Sequence, residues 1–134
     1  MPKEFTYRGQ SVAELQQISM DDFIKLLPSR QRRSLLRVPP NEQRKLREKV
    51  RKARKEGAKG KAIPIRTHCR ETVILPEMLG LTIQVHDGKE FVPVEVTPEK
   101  LGHRLGEFVP TNKKVTHGTP GIGASRSSMY VPLK

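Results

Sequence analysis

The side chains of this chain that could do covalent or metal chemistry are few and poorly spaced for it. Four histidines, His68, His86, His103 and His117, and a single Cys69 are its nitrogen and sulfur ligands. A structural zinc site needs four such groups, usually in closely spaced pairs, and only His68 and Cys69 are neighbours, so no metal site is expected. A lone cysteine cannot close an internal disulfide; the reading is a half-buried thiol beside a surface or partner-facing imidazole. The acids Glu71, Glu77, Asp87, Glu90, Glu95, Glu99 and Glu107 fall at turns, exposed strand positions and helix ends, with no pair at the spacing that hydrolysis requires. His103 is the remaining acid–base candidate, although a lone histidine among basic residues more often meets a phosphate or packs on a base. Ser125, Ser127 and Ser128 lie where nothing would hold a nucleophile in geometry.

Two glycine-rich strings look like phosphate cradles and fail on context. Gly118, Gly121 and Gly123 are interrupted by Pro120 and open no apolar helix, and Gly57-Ala-Lys-Gly-Lys61 is too short, with Ala62 where a metal-binding hydroxyl belongs. The expectation is therefore no enzyme, no metal and no nucleotide or other cofactor.

What remains is cationic chemistry. The 134 residues carry 26 Lys+Arg against 14 Asp+Glu, a formal charge of +12, which points to a polyanionic partner. Nucleic acid is the first suspect and an anionic membrane surface the second. A membrane role needs an apolar run of roughly 20 residues or a basic helix with a broad apolar face. The longest apolar stretches, around Ile24–Pro28 and Val73–Pro76, are too short, and Met1–Gln10 lacks the apolar segment of a secretory signal. The chain reads as cytosolic.

The charge is not spread evenly. Residues 1–29 are close to neutral, residues 30–61 hold most of the excess with only Glu42, Glu48 and Glu56 opposing it, and 62–110 is nearly balanced. Beyond Pro110, Lys113, Lys114, Arg126 and Lys134 face no acid.

The elements that must position these groups follow from capping and periodicity. Ser11 with Glu14, and Ser19 with Asp22, each place a hydroxyl three residues before an acid, predicting two short helices with Leu15 and Ile18, then Phe23, Leu26 and Leu27, as apolar stripes. Pro28 should end the second, and Arg30–Arg37 predicts another short helical turn. Pro39 and Pro40 break the chain before Asn41 caps a longer helix, Glu42–Glu56, stopped by Gly57. Its apolar seam is only Leu46, Val50 and Ala53. A solvated helix laced with ion pairs is the bland reading, but basic residues outnumber glutamates too far for mutual neutralisation, which favours an RNA-facing helix. Gly57–Lys61 reads as a flexible basic linker.

The compact part is expected to begin near Ile63. Thr72–Leu75 is a short β-favouring run, and Leu81, Ile83 and Val85 alternate with Thr82, Gln84 and His86 as a half-buried strand. Asp87-Gly88 predicts a tight two-residue turn into Lys89–Val96, with Val92, Val94 and Val96 on one face and Pro93 at an edge or bulge. Thr97-Pro98-Glu99 predicts the start of a last helix, with Leu101, Leu105 and Phe108 inward, and close packing is expected to explain at least one of Gly102 and Gly106. Thr111–Lys134 cannot bury enough surface to fold alone; the bland reading is a merely disordered terminus, and the favoured one is a basic arm ordered by a partner. With four Phe, two Tyr and no Trp, reading of unstacked bases on a sheet surface is not expected; recognition by shape and phosphate position is.

Pro76-Glu-Met-Leu-Gly80, Thr82-Ile-Gln-Val-His-Asp-Gly-Lys89, Phe91-Val-Pro-Val94 and Leu101-Gly-His-Arg-Leu-Gly-Glu-Phe108 together resemble the small-subunit ribosomal protein family numbered nineteen. The resemblance covers roughly Ile63–Gly118. The tail Gly121–Ser128 and Val131–Lys134, with the long basic amino-terminal extension, is similar to the archaeal and eukaryotic branch. Asp87 stands where Asn is common in the family, and Asn112 where a basic residue is common. The resemblance implies a non-catalytic protein of the small-subunit head, bound to the 3′ domain of small-subunit rRNA beside the ribosomal protein numbered thirteen. It further implies a tail, Lys113–Arg126, reaching toward the tRNA-binding decoding region.

The expectation is thus an α+β protein: a small antiparallel sheet with a packed short helix over 63–110, a helical basic extension over 1–62 and an extended basic tail over 111–134. RNA contacts are expected from Arg44, Lys45, Arg47, Arg51, Lys52, Arg54, Lys55, Lys59 and Lys61. The core should add Arg66, His68, Arg70, His86, Lys89, His103 and Arg104, and the tail Lys113, Lys114, His117 and Arg126. The alternatives are a free basic RNA- or DNA-binding or chaperone protein, which explains the charge but not the Leu-Gly-His to Glu-Phe run, and an RNA-processing enzyme, which lacks an acid cluster.

Overall fold

The computed structural model describes residues 4–57, 64–115 and 117. The chain opens on a miniature hairpin, β1 (Thr6–Tyr7) and β2 (Gln10–Ser11), turned by Arg8 at φ 49° and Gly9 at φ 84°. Two successive positive φ values are what a tight hairpin turn with the strands' twist requires.

Ser11 then caps α1 (Val12–Gln17) in a reciprocal box: the Glu14 N–H donates to Ser11 Oγ (3.4 Å) and the Ser11 N–H to Glu14 Oε2 (2.7 Å). Ser19 Oγ likewise accepts the Asp22 N–H at the start of α2 (Met20–Leu26), as the spacing predicts. Pro28 precedes α3 (Ser29–Leu36), and Arg32 Nη2 donates to the Lys25 and Leu27 carbonyls (2.9 and 3.1 Å), tying α3 to the open end of α2. In α4 (Asn41–Gly57) the Arg44 N–H donates to Pro40 O, so Asn41 is already helical and the cap position falls one residue earlier than expected.

The main sheet has strand order β3–β4–β5, with β3 Ile65–Thr67, β4 Thr82–His86 and β5 Phe91–Glu95. The β4–β5 hairpin is antiparallel, pairing Ile83 with Val94 and Val85 with Val92. β3 joins β4 in parallel, Ile65 opposite Ile83, so this third pairing departs from the all-antiparallel sheet expected. Pro93 sits exposed on the edge strand β5, as a residue without an N–H must. The turn is centred one residue later than Asp87-Gly88: the Asp87 N–H donates to Glu90 O, and Asp87 Oδ1 accepts the Lys89 and Glu90 N–H groups at 2.7 and 2.8 Å. Only Gly88 there has positive φ (111°).

Two segments differ from expectation. Thr72–Leu75 is buried but forms only a bridge, Val73 to Arg104, with the Ile74 N–H donating to His103 O and the Leu105 N–H to Thr72 O. The last helix is two 3₁₀ turns, Pro98–Lys100 and Leu105–Phe108. Gly102 between them adopts φ 77°, and a Cβ there would lie 2.8 Å from the Tyr7 hydroxyl and 3.0 Å from Leu27. A Cβ on Gly106 would meet Arg70 at 3.0 Å. Both glycines thus answer to close packing within the protein, and the first is where a continuous helix breaks.

One hydrophobic core joins the two halves. Leu15, Phe23 and Leu27 of the first helices and Leu46, Val50 and Ala53 of α4 pack in the same cluster as Ile65, Ile74, Ile83, Val85, Leu101 and Leu105. The amino-terminal helices are therefore part of the compact body, and the core does not begin near residue 63. The α+β class stands, with helices laid against one face of a small sheet.

Candidate nucleic-acid interface

With Leu46, Val50 and Ala53 turned inward, 3.6-residue periodicity forces the remaining cations of α4 outward. Arg44, Lys45, Arg51, Lys52, Arg54 and Lys55 are all exposed. Among the described residues the only ion pair of α4 is Arg51 Nε to Glu77 Oε2, 3.6 Å and solvent-exposed, so the helix's charge is not neutralised from within. Arg51 and Lys55, with Arg54 and Gln16, line an open hollow of about 530 Å³ beside Glu77. Lys59 and Lys61, with the linker reading, lie outside the described residues.

On the flank toward α3, Arg47 is half-buried and its Nε is without a partner among the described residues. Next to it Arg104, donating through Nη2 to Ser34 Oγ at 3.2 Å, joins Arg30, Arg33 and Arg37 around a concavity of about 580 Å³. Arg30 and Arg33 of α3, and Arg37 at its C-terminal cap, were not among the expected contacts. Their signal in the sequence is Arg30-Gln-Arg-Arg33 on a helix with no acid, but only the tertiary contact through Ser34 gathers them with Arg104. An arginine-walled hollow of this kind suits a phosphate, which guanidinium groups can grip with two parallel hydrogen bonds.

The outer face of the sheet groups rings that the small number of aromatic residues does not predict. The ring centroids of His68 and His86 lie 4.4 Å apart, and Phe91 meets them edge-on at 5.2 and 4.9 Å. Arg66 lies over Phe91, its Cζ 5.6 Å from the ring centre, while its Nε donates to Gln84 Oε1 at 2.9 Å. The parallel pairing of β3 with β4 is what brings these residues side by side. The His86 ring is fixed by the Gly88 N–H donating to its Nδ1 (3.0 Å), which leaves Nε2 as the protonated nitrogen of the neutral ring.

Arg70, expected to touch RNA, works inward instead. Its guanidinium donates to the carbonyls of His86 (2.6 Å), Gly106 (3.0 Å) and Val109, stapling the hairpin end to the last 3₁₀ turn. A cation with its fork so occupied is a structural tie. Lys89 stands exposed at the hairpin tip. His103 is exposed, with Nδ1 2.7 Å from Glu107 Oε2 and its ring edge on Phe108 at 5.8 Å. Burial pushes the Glu107 carboxyl up, but the Arg104 N–H and His103 together outweigh it and hold the group below its ordinary value.

Lys113, Lys114 and His117 are exposed, whereas Arg126 and the rest of the tail lie outside the described residues. Cys69 is half-buried. Among the described residues no cluster of three or more His, Cys, Asp or Glu could hold a metal, and no helix is long and apolar enough to cross a membrane.

A family model described as Ribosomal protein S19 matches residues 33–117. The match reaches well upstream of Ile63 and takes in the whole of α4, so the basic helix is part of the family region and not an extension added to it.

Proposed function

This chain belongs to the ribosomal protein S19 family, which makes it a structural, RNA-binding constituent of the small ribosomal subunit, and from that premise we propose that it sits in the head of the subunit on the 3′ domain of the rRNA. In this reading the exposed cations of α4, the Arg30, Arg33, Arg37 and Arg104 hollow, and Lys89 at the hairpin tip are its phosphate contacts. The protein numbered thirteen in the small subunit is its neighbour, and the segment from Lys113 onward runs toward the tRNA-binding region in cytoplasmic ribosomes of the archaeal and eukaryotic type.

The observation that carries the reading is the uncompensated charge of α4. A 17-residue helix buries a three-residue seam and leaves its cations, apart from Arg51, without a carboxylate among the described residues. A partner of opposite charge balances such a surface, and counterion release then supplies affinity.

The experiment is binding of the full chain to isolated 3′-domain rRNA and to another rRNA domain across a salt series. The proposal expects tighter binding to the 3′ domain, a steep salt slope, and a slope shallower by about one for each phosphate-contacting cation neutralised. Lys89→Gln and Arg33→Gln should each show that loss. Equal affinity for both RNAs would instead favour a free basic chaperone. Location follows from hydroxyl-radical cleavage by iron tethered at Lys89→Cys in a Cys69→Ser background. Cuts confined to the 3′ domain are expected, and cuts elsewhere contradict the head assignment.

A further inference from the structure

We propose that the cleft between α4 and the edge strand β3 is a nucleotide pocket, taking one unstacked rRNA nucleotide with its base on His68 and its phosphate among Lys45, Lys49 and Arg66. The inference rests on the rRNA-binding reading and deepens it, from charge to a specific mode of recognition.

The cleft encloses about 300 Å³, with Glu42, Lys45 and Lys49 on its helical wall and Arg66, Thr67 and His68 on its strand wall. That is the low end of the volume range of small-ligand sites, about 300–1,000 Å³. Both walls are held. α4 is anchored by Leu46 and Val50, and β3 by Ile65 and Thr67, all buried. Being the sheet's edge, β3 leaves the approach to the cleft open on the side away from β4.

Two features separate this cleft from the other basic hollows. The first is aromatic. His68 is exposed, and its ring packs against the pinned His86 ring, tilted by 35°, and meets Phe91 in a T-shaped contact, so a base stacking on His68 joins a ring cluster already held in place. The second is cationic preorganisation. Arg66 is set by Phe91 beneath it and by Gln84 on Nε, and that single bond leaves the two terminal nitrogens to a phosphate. Lys45 and Lys49, one helical turn apart, face the same space, and neither has a carboxylate partner among the described residues. Glu42 on the helical wall supplies an acceptor for an exocyclic amino group, which favours adenine, cytosine or guanine over uracil. Neither the hollow beside Glu77 nor the one among Arg30, Arg33, Arg37 and Arg104 has a ring to stack on beside its cations.

The test uses the full chain and deproteinised small-subunit rRNA, with affinity measured across a salt series and base reactivity mapped by chemical probing. His68→Ala should weaken binding by about 5- to 150-fold, the loss of one stacked base, and leave the salt slope unchanged. His68→Phe should restore the affinity. The Lys45→Gln/Lys49→Gln pair should lower the slope by about two. One base, carrying an exocyclic amine, should be shielded by the wild type and by His68→Phe and freed by His68→Ala. Wild-type affinity and an unaltered footprint in His68→Ala would overturn the pocket while leaving rRNA binding intact. So would crosslinking of His68 to a neighbouring protein in assembled subunits. Failure of the wild-type chain to bind the rRNA would overturn the underlying reading as well.

Discussion

The two faces of the three-stranded sheet are built from alternate residues of the same strands and share almost no chemistry. Inward, Ile65, Thr67, Ile83, Val85 and Val94 are buried against the helices; outward, Arg66, Gln84, His86 and Phe91, with His68 just past the end of β3, form a polar and aromatic surface. A strand's two-residue period lets one short segment specify a core and a recognition surface independently. The core fixes where the outer groups stand, and the outer groups are free to be chosen for a partner.

The sharpest way to break this division is to hollow the inner face. Ile83→Ala should cost about 2–5 kcal/mol in chemical denaturation, because its fully buried side chain leaves a cavity between β3, β5 and the helices. A small loss there would mean that the inner face is not the core. Arg70→Met comes next. It removes a cation bound to three carbonyls that join the two ends of the sheet region, and about 2–3 kcal/mol should be lost. If Arg70→Met kept its stability and instead lowered the salt slope of RNA binding, Arg70 would belong to the outer surface after all.

Gln84→Ala, on the outer face, should change stability by less than about 0.5 kcal/mol. Its mark should be on RNA affinity, through Arg66, whose Nε it orients. The smallest effect is expected at the hairpin tip. The Asp87 carboxyl is held below its usual 3.8 by the Glu90 and Lys89 N–H groups. A group whose folded value is depressed contributes fully above its unfolded value and loses that contribution as pH falls through the lower folded one. Amide shifts of Lys89 and Glu90 should therefore titrate together below pH 3.8 while the inner-face signals stay put. Simultaneous loss of both would show that the tip and the core are one cooperative unit.

Much of this division could be read from residue types. Ser11 and Ser19 announced their helices, Leu46, Val50 and Ala53 announced the inner seam of α4, and the alternation through Leu81–Val85 and Val92–Val96 announced the hairpin. Each depends on neighbours within a turn or a strand. What stayed hidden depends on distant partners. The helix expected from Thr97 is broken because Gly102 must pass under Tyr7 and Leu27. Arg70 turns inward because carbonyls far along the chain await it. Arg30, Arg33 and Arg37 become a site only when Ser34 and Arg104 meet. His68, His86 and Phe91 are scattered singles until β3 pairs with β4 in parallel, and scarcity of aromatic residues said nothing about their grouping. The β1–β2 hairpin escaped notice because Arg8, not a glycine, takes the first positive φ.

An rRNA-bound structural component of the small ribosomal subunit should be inseparable from it under conditions that strip loosely held factors. Sedimentation of a native extract after a high-salt wash measures this. The chain should stay with the small subunit at one copy per particle, held by many contacts formed at assembly. Release of the chain to the top of the gradient, with the subunits intact, would contradict it.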